Sequence, residues 1–200
     1  TETSPILTLN PVYHYKVNSV GKVLPLLDMK IIGADENGNG EIAVKGTAVM
    51  PGYYNMPEET AAVFTEDGYF KTGDVGYLDS QNYLYLTGRM KNLIVTEGGK
   101  NVYPEELENR FQLFDEIEQV LIRGYTNPHN PHIELIEALV YPNKEICTGT
   151  ALETEKCIRR QVEEVNKQLL PYQRISRIKL LDEAMEMTTS KKIKRHSLKV

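Results

Sequence analysis

The sequence has few cysteines and no long hydrophobic run. Its two cysteines, Cys147 and Cys157, form no Cys-x-x-Cys pair, so neither a disulfide framework nor a zinc site is expected. No stretch approaches the roughly 20 apolar residues that span a bilayer, and the first residues lack the basic and apolar regions of a secretory signal. We therefore expect a cytoplasmic protein with no transmembrane segment.

The charge balance is acidic, but the positive charge is concentrated near the end of the sequence. The 200 residues contain 23 Lys and Arg against 28 Asp and Glu, a net charge of −5, which argues against a nucleic-acid-binding protein. The segment "SKKIKRHSL", residues 190–198, nevertheless contains four basic residues. By itself it is either a solvated tail or a local anion site.

The first part of the chain is rich in β-strand signals. Short apolar runs such as "KVLPLLDMKII" and "EIAVKG" are separated by turn chemistry in "GADENGNG". A short helix is predicted to begin at Pro57. Turns are expected at Asp67–Gly68 and at Gly73–Asp74, followed by a hairpin of alternating Tyr and Leu residues.

The pattern changes after Arg89. Helices are predicted in "YPEELENRFQLF", beginning at Pro104, and in "ETEKCIRRQVEEVNKQLLP", ending at Pro171. Strands are predicted in "IEQVLIRGY", "IELIEALVYP" and "ISRIKLLD". The fold class is therefore α+β, with a β-rich unit over residues 1–88, a connection at 89–91 and a compact α+β domain over 92–200.

Five motifs in order resemble those of the adenylate-forming superfamily, which includes acyl-CoA synthetases, peptide-synthetase adenylation domains and luciferases. They are "TE", "GEIAVKGTAVMPGYYN", "DGYFKTGDVGYLD", "GRMKNLIVTEGGKNVYPEELE" and "TSKKIKR". The long-chain fatty acyl-CoA synthetases resemble this chain best, through "KNVYPEELE" and "YYNMPEETAAVF". No GxxxxGK[ST] or TSGTTG-like phosphate loop occurs, so the resemblance implies a C-terminal portion. Residues 1–88 then belong to a β-barrel subdomain of a larger AMP-binding domain.

The resemblance implies a nucleotide site in the first unit. Glu2 matches a magnesium-coordinating Glu, and Thr1 matches its phosphate-contacting neighbour. Asp74 matches the carboxylate that accepts hydrogen bonds from the two ribose hydroxyls. Arg89 matches an Arg that reaches the ribose or phosphate.

The resemblance also implies a hinge and a thiol channel. Lys91 falls at the hinge about which the small domain rotates between two half-reactions, although an ordinary linker lysine is the alternative. Gly98 and Gly99 match a loop that lines the pantetheine channel, where glycine permits close backbone approach. A simple hairpin turn is the competing interpretation, and the roles of Asn101 and Tyr103 stay open.

The same resemblance assigns the basic end motif to catalysis. Lys192 aligns with the lysine that bridges the substrate carboxylate and the α-phosphate, followed by Ile193 and Arg195. Lys191 stands where the family has Gly, which is expected to alter the turn and makes Lys191 the competing candidate.

The implied activity is that of an ATP- and Mg²⁺-dependent ligase that joins a fatty acid, or another carboxylic acid, to coenzyme A. A ligase acting on an acyl carrier protein and an aryl-CoA ligase are alternatives within the superfamily. A non-catalytic module that binds nucleotide or docks a carrier protein is the alternative of another class, and an RNA-binding module is disfavoured by the charge. Uncovered apolar faces could also favour a homo-oligomer.

Overall fold

The chain divides into two compact units, Thr1–Lys91 and Asn92–Val200. The computed structural model describes residues 1–127, 130–189 and 191–195. Strands dominate the first unit, and the second combines helices with strands. The predicted α+β class is confirmed.

The first unit is built on one six-stranded sheet with one short helix. Its elements are β1 Thr8–Leu9, β2 Gly21–Val23, β3 Leu27–Ile32, β4 Gly40–Gly46, α1 Pro57–Val63, β5 Phe70–Leu78 and β6 Tyr83–Arg89. The strand order is β1-β2-β6-β5-β4-β3, and every pairing is antiparallel. The helix begins at Pro57 as predicted, with Glu58 and Glu59 in its first turn, where acids complement the helix dipole.

Strand β5 contains an irregularity where the sequence predicted a turn. It runs through Gly73 and Asp74 without reversing direction, but its pairing with β4 shifts register between Glu41 and Ala43. Gly73 has a φ of 71°, which extra residues in a bulged strand commonly adopt. The predicted turn at Gly73–Asp74 was wrong because a bulge and a turn share the same glycine signal.

The β5–β6 hairpin carries the predicted alternation of Tyr and Leu. Tyr83 and Leu84 are buried, and Tyr77 stacks on Tyr85 with ring centroids 4.9 Å apart. This cross-strand pair fixes the relative positions of the two strands.

The second unit contains a three-stranded sheet, a small hairpin and two helices. Its elements are β7 Ile94–Val95, β8 Asn101–Val102, α2 Pro104–Asn109, β9 Ile117–Asn127, β10 Asn130–Pro142, α3 Ala151–Lys167 and β11 Ile175–Leu180. Strand β10 is central, antiparallel to β9 and parallel to β11. Within the described residues no helix is long and apolar enough to cross a membrane.

Both helices are shorter than the sequence predicted. Helix α2 ends at Asn109 rather than near Phe114, although Phe111 still enters the core. Helix α3 ends at Lys167, and Pro171 begins a separate helical turn. Thr150 and Glu153 form a reciprocal capping box at the start of α3.

The two faces of the three-stranded sheet bury different partners. Alternation along the strands places Ile122 and Ile136 on the face covered by α3, whose Ile158 and Val162 are buried there. Leu121 and Leu139 lie on the opposite face. Met185 and Ile193 cover that second face, so the end of the described chain packs on the sheet.

Candidate functional site

Asp74 and Arg89 form an ion pair across β5 and β6. The two residues are directly opposite in the ladder, and Arg89 Nε lies 2.7 Å from Asp74 Oδ1. The side chains are 35% and 49% exposed, respectively, so both groups remain accessible to a ligand. The structure therefore brings together the two residues that the resemblance places at the ribose of the nucleotide.

The backbone around Asp74 is held by side chains of the same sheet. The Asp74 N–H donates to Thr72 Oγ1 at 3.1 Å, and the Thr72 hydroxyl donates to the carbonyl of Ile42 at 2.8 Å. The N–H of Gly73 donates to Glu41 Oε1 at 3.2 Å. These hydrogen bonds hold the irregular backbone of β5 in place and thereby position Asp74.

Glu2 lies against the loop that follows β4. Its carbonyl accepts from the N–H of Met50 at 2.8 Å, and the Tyr53 hydroxyl lies 3.5 Å from Glu2 Oε1. Thr1 is exposed. Within the described residues no group of three or more His, Cys, Asp or Glu is placed to hold a metal ion, so Glu2 offers at most a single carboxylate ligand.

Lys91 is the last residue of the first unit. It is exposed and lies in the short helical turn Met90–Asn92. The position is compatible with a hinge, and that role stays a prediction.

Gly98 and Gly99 form the tip of the β7–β8 hairpin. Their φ values are 77° and 69°, in the left-handed region that glycine adopts without strain. A Cβ at either position would meet nothing within 4 Å, so within the second unit the turn conformation alone requires glycine. Asn101 belongs to β8 of this hairpin, and Tyr103 is a buried residue directly before α2.

The described residues of the basic end motif belong to a tight turn, and residues 190 and 196–198 of the motif lie outside the described part of the chain. Met187 and Ile193 are bridged as antiparallel partners, and the N–H of Thr188 donates to the carbonyl of Lys192 at 2.7 Å. Lys191 has a φ of 57°. The left-handed conformation expected of glycine is therefore kept, which corrects the expectation that Lys191 alters the turn.

Lys192 stands in this turn with its side chain exposed. Its backbone N–H donates to Thr188 Oγ1 at 3.1 Å. Its ammonium group makes no hydrogen bond or ion pair among the described residues. The backbone is thus fixed while the charged group stays available to a ligand.

Arg195 anchors the turn to the body of the second unit. Its Nη2 lies 2.7 Å from both carboxylate oxygens of Glu108 on α2, and its Nη1 donates to the carbonyl of Ile122 at 2.8 Å. Burial raises the pKa of Glu108 to about 7, against the opposing effects of Arg195 and the Ile122 N–H. This pairing is not predictable from sequence patterns, because its members are 87 positions apart.

No family model matches the chain, but curated relatives do. The human long-chain-fatty-acid–CoA ligase ACSBG1 is 39% identical over 113 residues, covering 56% of this chain and 16% of its own length. The 2-succinylbenzoate–CoA ligase of Oceanobacillus iheyensis is 36% identical over 202 residues, covering 99% of this chain and 39% of its own length. The chain therefore spans well under half the length of these relatives.

A solved structure shares the fold over the whole chain. The O-succinylbenzoate coenzyme A synthetase of Bacillus subtilis, in complex with AMP, has a TM-score of 0.79 and 29% identity, covering 100% of this chain and 39% of that one. The same protein with ATP and a magnesium ion has a TM-score of 0.71 and 28% identity, covering 92% and 36%. Fold and similarity together define a class, the adenylate-forming proteins.

This chain belongs to that AMP-binding superfamily and matches the C-terminal portion of its acyl-CoA ligases. The resemblance predicted from the five motifs is confirmed.

Proposed function

We propose that the whole protein containing this chain is an ATP- and Mg²⁺-dependent ligase that activates a fatty acid and transfers it to coenzyme A in the cytoplasm. In the first half-reaction a carboxylate oxygen attacks the α-phosphorus of ATP, and pyrophosphate leaves. In the second, the thiol of coenzyme A attacks the acyl carbonyl, a proton is released, and AMP leaves. The similarity to CoA ligases supports this proposal.

The observation that carries the proposal is the position of Lys192. A fixed backbone with an exposed ammonium group suits a residue that meets charge developing on phosphate and leaving oxygens. A lysine is a compact, flexible cation, so it can contact the α-phosphate in one half-reaction and be withdrawn for the next. We assign it this role.

The first unit fits the remaining groups of the nucleotide in part. An ionised Asp74 has acceptor oxygens for two ribose hydroxyls, and Arg89 holds its orientation at 2.7 Å. A bound Mg²⁺ would neutralise charge on the phosphates, and Glu2 would supply one hard oxygen ligand to it. The other ligands have to come from ATP, water or residues outside this chain.

A second candidate function differs in the acid that is activated. The 2-succinylbenzoate–CoA ligase matches 99% of this chain, whereas ACSBG1 matches 56%. An acid of the 2-succinylbenzoate kind is therefore the alternative substrate. Transfer to a carrier protein instead of coenzyme A is the alternative for the second half-reaction.

ATP–pyrophosphate exchange in the complete polypeptide, with a panel of fatty acids and 2-succinylbenzoate, tests the proposal. Lys192→Ala should lower exchange by about 10²-fold or more, as expected for loss of a transition-state donor. Thioester formation from preformed acyl adenylate should survive. The neighbouring Lys191→Ala serves as the matched control and should keep most of the exchange.

Three results would contradict the proposal. Absence of exchange with every acid would argue for a binding module. Equal loss in both half-reactions would contradict the assigned role of Lys192, and loss in Lys191→Ala alone would transfer that role to Lys191.

A further inference from the structure

Arg195, Glu108 and the backbone of Ile122 form a closed hydrogen-bonded group. Glu108 accepts from Arg195 and also from the N–H of Ile122 at 2.7 Å, while Arg195 donates to the carbonyl of Ile122. Both charged side chains are only 20% exposed. Each member of the group contacts the other two, so displacing one breaks two sets of bonds.

The group joins the end turn to rigid elements. Glu108 is on α2, and Ile122 is on β9, one of the two edge strands of the three-stranded sheet. Among the residues that the structure describes, β9 pairs with β10 alone. Glu108 and Arg195 therefore bond the polar backbone groups of Ile122 that point away from β10.

The opposite side of the turn is held by apolar packing. Ile193 lies against Leu121, Leu139 and Met185 on the face of the sheet away from α3. Lys192 is therefore adjacent to Ile193, which packs on the sheet. It is three positions from Arg195, which is fixed by its ion pair with Glu108. Its backbone has little freedom to move independently of the second unit.

The charged group extends to the segment that follows the predicted hinge. Arg195 Nη2 is 3.6 Å from Glu105 Oε1, and Asn92 Nδ2 donates to the same oxygen at 2.5 Å. Asn92 directly follows Lys91. A continuous set of polar contacts therefore links the start of the second unit to the lysine turn.

We propose that Arg195 and Glu108 are positioning residues for adenylation, which fix the turn so that Lys192 arrives at the α-phosphate in one defined place when the unit rotates. This inference rests on the proposed function. The pair acts through Lys192. It should therefore affect the rate only of the half-reaction in which Lys192 takes part.

The test compares variants of the complete polypeptide in both half-reactions. Arg195→Met should lower kcat for ATP–pyrophosphate exchange about 10- to 100-fold, because small displacements of a reacting group have effects of this size. The KM for ATP and thioester formation from preformed acyl adenylate should change little. In a Lys192→Ala background, Arg195→Met should cause no further loss.

Three matched variants complete the experiment. Arg195→Lys keeps the charge with fewer donors and should recover part of the rate. Glu108→Gln changes the partner of Arg195 instead and should cause the same loss of exchange rate. It replaces Arg195→Met in the experiment if that variant does not fold. Lys194→Met removes the adjacent exposed ion pair with Glu186 and should remain within about twofold of wild type.

The outcomes separate this inference from the proposed function. Exchange that disappears in Lys192→Ala but is unchanged in both Arg195→Met and Glu108→Gln would overturn the positioning role alone. Equal losses in both half-reactions, or a loss that adds to that of Lys192→Ala, would also overturn it, because they indicate a general structural role. Absence of exchange in wild type would overturn the proposed function as well.

Discussion

At the residue scale, Lys191 has an unusual backbone conformation for its type. Its φ of 57° is in the left-handed region, which costs a non-glycine residue roughly 1–2 kcal/mol. The tight hydrogen bonding between Thr188 and Lys192 keeps the turn in that conformation. The strain is located beside the proposed catalytic lysine.

Lys191→Gly is expected to stabilise the chain by about 0.5–1 kcal/mol. The relief of left-handed strain is reduced by the greater entropy that glycine gives the unfolded chain. Urea unfolding of the 200-residue chain measures the change. Lys194→Gly, outside the left-handed region, is the control and should not stabilise; a Lys191→Gly variant less stable than wild type would contradict the account.

Individual site residues are proposed from the sequence only where a motif surrounds them. Asp74 and Arg89 were selected from separate motifs, and the structure pairs them at 2.7 Å. The Arg195–Glu108 pair was missed because Glu108 is one of three glutamates in the six residues of α2. Nothing local distinguishes Glu108 from Glu106, and only tertiary structure brings Arg195 to one of them.

At the element scale, the turn between β5 and β6 depends on Asp79. Its carboxylate accepts from Lys16 and from the N–H groups of Gln81 and Tyr83. The hydrogen bond from Lys16 and those from the backbone lower the pKa of Asp79 to about 2. The folded state thus favours the ionised form.

Asp79→Asn should lower the free energy of unfolding near neutral pH. Because the pKa of Asp79 in the folded state lies below the ordinary value of an aspartate side chain, the stabilisation is present above about pH 4 and is lost as the pH falls towards about 2. Urea midpoints of wild type and variant should therefore converge over this window. Asp182→Asn, which removes a carboxylate with no ion pair in the described part of the chain, is the control. A difference for Asp79→Asn that stays constant with pH would count against the predicted linkage.

The beginnings of elements were easier to predict than their ends. Helices begin at Pro57 and Pro104, as the sequence predicts, because proline fits the first turn of a helix. The end of α2 at Asn109 has no glycine or proline to mark it, and Phe111 packs into the core from outside the helix. Apolar spacing predicted the burial of Phe111 correctly but did not locate the end of the helix.

At the scale of the whole molecule, the boundary between the two units after Lys91 leads to a prediction about function. Proline fixes φ near −65° and removes the backbone N–H. If the second unit rotates about Lys91, Lys91→Pro should leave one half-reaction near its normal rate and slow the other by at least about tenfold. Stopped-flow assays of the two half-reactions in the complete polypeptide measure this split.

Lys91→Ala is the control for that experiment, because it removes the side chain but leaves the backbone free. Both half-reactions should then proceed at nearly normal rates. A Lys91→Pro variant in which both steps are also normal would show that the backbone at this position does not have to move.

The change in sequence pattern near Arg89 predicts a β-rich unit followed by an α+β unit. Alternation predicted the strands of the first unit, and the amphipathic α3 segment predicted the helix of the second. The parallel pairing of β10 with β11 was not predicted, because pattern alone does not give strand direction. Which face of the sheet the end segment covers also had no sequence signal, since Met185 and Ile193 resemble any isolated apolar residues.

The contacts of Glu108 and Arg195 with Ile122 have a consequence for the behaviour of the molecule in concentrated solution. An open strand edge is a template on which another chain can add a strand, and this addition is a common first step in aggregation. At Ile122 the two side chains occupy the backbone groups that an incoming strand would need. The segment that carries the proposed catalytic lysine therefore also covers this edge of its own sheet against unwanted self-association.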